Sequence, residues 1–130
     1  MEGNDMGWLK RPLVVTATTA AVLLGTGGIA HAGTDRVATM SGAKVTFTSY
    51  GDSFSVCDTS TDGLNVYNEY KYIRKDGSLQ HDIEYNGLGS GTCASYDHNF
   101  GEGRSVTFRA CADMPGIIPD PCSNWVVGVA

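Results

Sequence analysis

The sequence has no run of lysines and arginines, no paired C-x-x-C, no Gly-x-Ser-x-Gly elbow and, past residue 32, no stretch with the 3.6-residue apolar period of a helix. Each absence removes a class of protein. Lys plus Arg number 9 against 14 Asp plus Glu, a net charge of −5. An acidic chain without a basic cluster repels phosphate backbones and anionic lipid heads, so neither nucleic acid nor a membrane surface is an expected partner. Unpaired cysteine spacing argues against structural zinc. With only His81 and His98 beyond residue 32 and no serine elbow, no base stands beside a nucleophile, and the chain nominates no catalytic residue. Nor is a cofactor indicated. Gly87-Leu88-Gly89-Ser90-Gly91 lacks the parallel strand and helix that phosphate cradles require, and reads as a connector.

The first thing present is an export signal. Met1 to Ala32 runs from Lys10 and Arg11 through an apolar stretch, Pro12 to Ile29, to the small-residue end Ala30-His31-Ala32. That layout is a secretory signal peptide, with cleavage expected after Ala32. Its removal takes Glu2, Asp5, Lys10 and Arg11, which leaves the net charge of −5 unchanged. The expected product is a single secreted domain, residues 33–130, outside the cell and off the membrane.

Cys57, Cys93, Cys111 and Cys122 all lie in that domain. An even count in a short exported chain reads as two disulfides, for which three pairings exist. The preferred one is Cys111 with Cys122, which closes a short loop holding Pro115, Pro119 and Pro121, and Cys57 with Cys93 joining separate strands. A domain this small needs such staples.

Apolar and polar residues alternate with period 2 between turn signals every eight to twelve residues, which predicts about seven short strands. They run from Lys44 to Ser49, Ser53 to Asp58, Asn65 to Arg74, Leu79 to Tyr85, Cys93 to Tyr96, Arg104 to Cys111 and Asn124 to Val129. An all-β fold follows, a small antiparallel β-sandwich, with a small closed β-barrel as the alternative. Counting outward from a two-residue turn at Asp76-Gly77 sets Tyr72 opposite His81, Lys71 opposite Asp82 and Tyr70 opposite Ile83. On that register Tyr70, Tyr72, His81, Ile83 and Tyr85 form the core face. Trp125, which opens a β-branched strand three residues past Cys122, is also expected in the core.

Three motifs bear on function. Asp58-Thr59-Ser60-Thr61-Asp62-Gly63, continuing to Glu69, spaces oxygen donors as a calcium loop does, but its flanks are strands. Asp58 and Asp62 are the candidate cation ligands, and an ordinary turn is the plainer reading. Tyr67 and Tyr96 are the tyrosines expected at the surface, where they would suit a glycan or protein partner. The loop between Cys111 and Cys122 carries Ile117 and Ile118. A clamped, proline-stiffened loop can serve as the bait segment of a protease inhibitor, although a crossover that tucks both isoleucines under the sheet is the simpler expectation.

The segments Phe54-Ser55-Val56-Cys57-Asp58, Asp62-Gly63, Gly101-Glu102-Gly103-Arg104, Val106-Thr107-Phe108-Arg109-Ala110-Cys111 and Cys122-Ser123-Asn124-Trp125-Val126, with the signal peptide, resemble the short secreted two-disulfide proteins of actinobacteria, a group largely without assigned activity. The resemblance implies export and a two-disulfide β-fold and carries over no binding residue. Size and cysteine count are also similar to the secreted subtilisin inhibitors of those bacteria, but the cysteine spacing is not. The expectation is a non-catalytic extracellular binding protein for a protein or glycan. A protease inhibitor acting through the Cys111 to Cys122 loop and a small secreted hydrolase are the alternatives.

Overall fold

The fold is taken from a computed structural model that describes residues 33–130; the signal peptide read into Met1 to Ala32 lies outside the described residues. Eight strands follow in order: β1 (Arg36–Met40), β2 (Ala43–Thr48), β3 (Ser53–Asp58), β4 (Val66–Ile73), β5 (Leu79–Asn86), β6 (Cys93–Asp97), β7 (Ser105–Ala112) and β8 (Val126–Val129). They form two four-stranded antiparallel sheets, β1-β2-β3-β6 and β5-β4-β7-β8. This is the sandwich, not the closed barrel, and no helix occurs among the described residues. The strand beyond the expected seven is β1. Its pattern is inverted, with Val37 facing solvent and only the small Ala38 fully buried, so it carries no apolar alternation to read.

Period-2 alternation builds the core. β2 turns Ala43, Val45 and Phe47 inward, β3 turns Phe54 and Val56, and β7 turns Val106, Phe108 and Ala110. Phe54 sits at the centre, with its ring 5.1 Å from Phe47 and Phe108 and 5.4 Å from Tyr70, in tilted or edge-on contacts. Such pairs each contribute about 0.5–1.5 kcal/mol beyond the area they bury. Opposite Phe47 the chain has Gly128, where a Cβ would lie 2.6 Å from the Phe47 ring. The aromatic core reaches β8 only because that position has no side chain.

Cys57 is bonded to Cys93 and Cys111 to Cys122, the expected pairing. The first staples facing positions on β3 and β6, and the second ties β7 to the chain just before β8. On the chain-entropy account, loops of these lengths contribute about 4 and about 3 kcal/mol respectively.

The β4–β5 hairpin departs from expectation. Its turn has three residues, Lys75, Asp76 and Gly77: the Arg74 amide donates to the Ser78 carbonyl at 2.7 Å, and the Gly77 amide to the Arg74 carbonyl at 2.9 Å. Gly77 has φ of 90°, the left-handed residue that closes a bulged type I turn. Ile73 therefore faces Leu79, Lys71 faces His81 and Tyr70 faces Asp82. A one-residue shift turns a whole strand over. Tyr70 and Tyr72 keep the inward face, but His81, Ile83 and Tyr85 point outward, and Gln80, Asp82, Glu84 and Asn86 point in.

The two long sides of the sandwich are joined differently. On one, backbone does the joining: Thr34 exchanges hydrogen bonds with Val129, at 2.8 and 3.2 Å, so the lead-in to β1 bonds to the other sheet. On the other, side chains do it. Asn86 Nδ2 donates to the Val56 and Thr92 carbonyls at 2.9 and 2.8 Å, the Tyr96 hydroxyl donates to the Tyr85 carbonyl, and His98 meets Glu84.

Candidate functional site

The two outer faces of the sandwich differ in chemistry. On β1-β2-β3-β6 the outward positions include Thr46, Thr48, Ser53, Ser55 and Ser95, and Val37 is the one large apolar residue exposed there. On β5-β4-β7-β8 the outward rows carry Ile73, Leu79, Ile83, Tyr85 and Val127, with Trp125 just before β8, each between 37% and 55% exposed. The hairpin register makes this surface. A two-residue turn would have put Ile83 and Tyr85 inside.

Trp125 belongs to this face, not to the core: it is 37% exposed, where the central Phe54 is 1%. Two cations hold it. The Lys71 ammonium lies 4.3 Å and the Arg109 guanidinium 4.4 Å from its ring, contacts worth about 0.5–1 kcal/mol each at an exposed site. Arg109 also binds Glu69 at 2.8 Å, and Glu69 meets His81 Nε2 at 2.7 Å. Desolvation of Glu69 works to raise its carboxyl, but the hydrogen bonds from His81 and Arg109 outweigh it and hold the group below its ordinary value. The Glu69 charge is thus spent within the face, and Lys71 remains as its outward cation.

The Cys111 to Cys122 loop borders the same face. The Tyr67 hydroxyl donates to Asp120 Oδ2 at 2.6 Å, and Asp120 Oδ1 accepts from the Met114 amide at 2.8 Å. Those bonds lower Asp120, while burial, with Asp120 next, raises the Tyr67 hydroxyl. Tyr67 is therefore covered rather than exposed as expected, and Tyr96 is half-buried against the core. Ile117 and Ile118 do not tuck under the sheet: Ile117 is 100% exposed, at a turn where Gly116 has φ of 67°.

Among the described residues Asp58, Asp62 and Glu69 do not gather into one donor cluster. Asp58 is buried at the end of β3, with Oδ1 accepting from the Ser60 amide, and Asp62 caps the Leu64 amide. Glu69, which would close a calcium loop, lies on the outer face of the other sheet with Arg109 and His81. Both aspartates serve as turn formers. One donor cluster gathers Glu69, Cys111 and Cys122 within 4.8 Å, but its two sulfurs are joined in the disulfide, so no thiolate is there to bind a metal.

Among the described residues, His81 and His98 each meet a carboxylate. His98 Nε2 lies 2.6 Å from Glu84 Oε2, and Asn68 Nδ2 donates to Glu84 Oε1 at 3.3 Å. Burial pushes the Glu84 carboxyl up against the pull of His98. Among the described residues no serine or threonine hydroxyl bonds to His81 or His98. Surface clefts of about 400 and 270 Å³, one by Glu102, Arg104 and Ser105 and the other by Asp58, Ser60 and Ser90, contain neither histidine. Among the described residues no helix is long and apolar enough to cross a membrane.

No protein-family model, no curated protein and no solved structure matches the chain.

Proposed function

We propose that the protein is exported and works outside the cell as a non-catalytic binding protein, with the outer face of β5-β4-β7-β8 as its working surface. The observation that carries this reading is the collection of Ile73, Leu79, Ile83, Tyr85, Trp125 and Val127 on one sheet face while the opposite face is hydroxylated. Their combined exposed area is on the order of 500 Å², the size of the largest apolar patch on a typical soluble monomer, which is often functional. The two disulfides and the layout of Met1 to Ala32 support export.

The test is comparative capture from the producing cells' culture fluid. Wild type and a Thr46→Asp variant, altered on the hydroxylated face, should retain the same partner; Ile83→Asp should lose it while keeping its melting temperature. Capture indifferent to Ile83→Asp would sink the assignment.

One observation favours the inhibitor reading, the full exposure of Ile117 at the tip of a disulfide-closed loop. Against it, Gly116 holds that tip in a turn, whereas a protease cleft takes extended backbone. Absence of inhibition at micromolar concentration across a panel of secreted serine proteases would remove it.

A further inference from the structure

We infer that what covers the outer face of β5-β4-β7-β8 is a protein that presents carboxylates beside apolar side chains. This rests on the working surface proposed above and adds the chemistry of its partner. In a chain of net charge −5 the basic residues are segregated. Lys71 and Arg109 stand over Trp125, while Arg36, Arg74 and Arg104 reach the rim, each donating to a backbone carbonyl there, of Val127, Leu79 and Ile73. Only Lys44, on the other sheet, and Lys75, at the hairpin tip, lie elsewhere in residues 33–130. Glu69 is the one carboxylate in the outward rows of the four strands and is paired with Arg109, while other carboxylates, Glu102 by Ile73 and Arg104 and Asp113 and Asp120 by Tyr85, lie at the rim. The centre of this face, at Lys71, Arg109 and Trp125, is thus basic and apolar in an acidic molecule, and complementary potential selects an acidic partner and speeds its encounter.

The apolar content of the face decides which acidic partner. Ile73, Leu79, Ile83 and Val127 are aliphatic and lie among the charges, where a phosphate backbone has no use for them and an apolar protein surface does. Sugar rings stack on free aromatic faces, but the Trp125 ring is engaged by Lys71 and Arg109, the Tyr85 ring packs on Tyr67 at 5.1 Å, and the four aliphatic side chains offer none. A second copy docking through the same face would set one basic centre against another, a like-charge juxtaposition that is costly.

The test is titration of the isotope-labelled protein, followed by backbone amide shifts, with four probes: a peptide alternating glutamate and leucine, the same peptide with lysine for glutamate, polygalacturonate, and a DNA duplex. The expected result is saturable binding of the glutamate–leucine peptide with shifts at Lys71, Arg109, Ile83 and Trp125. Its affinity should fall about tenfold or more in Lys71→Glu at unchanged melting temperature, and weaken when added salt shortens the screening length from about 10 Å to about 3 Å. Tighter binding at those residues by the lysine peptide, the polysaccharide or DNA overturns the partner class and leaves the working face standing. So do shifts there that depend only on the protein's own concentration. Shifts confined to β1-β2-β3-β6, or no binding by any probe, overturn both.

Discussion

Adding one methyl group at Gly128 tests the account of the core most sharply, because two effects of opposite sign meet there. The backbone at Gly128 is not left-handed, so alanine suits the strand and, by narrowing the unfolded ensemble, would stabilise by about 0.4–1 kcal/mol in open space. The space is not open. The new Cβ would lie 2.6 Å from Phe47 Cδ2, 3.1 Å from Cε2 and 3.2 Å from the Thr34 carbonyl. To restore ordinary contact the Phe47 ring must retreat by about 0.8 Å, yet it is packed at 5.1 Å against Phe54 and 6.2 Å against Phe108. Overpacking of this kind costs about 1–3 kcal/mol, which exceeds the entropic gain and leaves Gly128→Ala about 1–2 kcal/mol less stable. For a domain of this size that lowers the melting temperature by roughly 5–15 °C, measurable by far-ultraviolet circular dichroism. Because the conflict is with one ring, Phe47→Leu should cost less in the Gly128→Ala background than in wild type, with a coupling of about 0.5 kcal/mol or more. A melting temperature at or above wild type, or strictly additive costs, would refute the packing argument.

Trp125→Ala should stay folded, losing about 1–2 kcal/mol with its two cation contacts, whereas Phe54→Ala loses about 3–5 kcal/mol and should be largely unfolded; chemical denaturation of the pair checks the order. Burial raises the Glu84 carboxyl, so folding takes up a proton there: its stabilising contribution is complete below the unfolded value of 4.5 and declines as pH rises through the folded one. Glu84→Gln should remove that decline from a plot of stability against pH, and an unchanged plot would count against it. Replacing Cys57 and Cys93 together by alanine should cost about 4 kcal/mol and replacing Cys111 and Cys122 about 3, both read from denaturant midpoints; the reverse ranking would contradict the loop-length argument. Sequencing the protein recovered from the culture medium should find Gly33 at its amino terminus, and an intact Met1 there would refute cleavage after Ala32.

The inner wall of the sandwich was legible in the sequence because it obeys a rule of two. Val45, Phe47, Phe54, Val56, Val106 and Phe108 alternate with polar neighbours, and the strands that bear them lie within a residue or so of the expected bounds. The disulfide pairing followed for the same reason, since strands and a short loop were already placed. β5 was misread on one local choice, the length of the Asp76-Gly77 turn. Both two-residue and three-residue turns accept Asp-Gly, and only tertiary packing selects between them. That choice decides whether Ile83 and Tyr85 are core or surface, so the candidate site depended on it. The inward polar row Gln80, Asp82, Glu84 and Asn86 was the available signal, because its partners Tyr70, Asn68 and His98 can accommodate it. Trp125 was assigned by its size and β-branched neighbours, a rule that ignores the two cations which β4 and β7 present beside it on the outer face.

The unequal joining of the two long sides gives the sandwich the mechanics of a book. Its spine is the backbone pairing of Thr34 with Val129, and its fore-edge is held by clasps, the Asn86, Tyr96 and His98 side chains. Water can replace a side-chain clasp one bond at a time, whereas the spine must break a reciprocal pair of backbone bonds together. Partial opening should therefore swing the covers apart from the β5 and β6 side, so that amides there exchange with solvent deuterium well before those of β7 and β8. Any reagent that reaches the aromatic interior without unfolding the chain enters through the fore-edge.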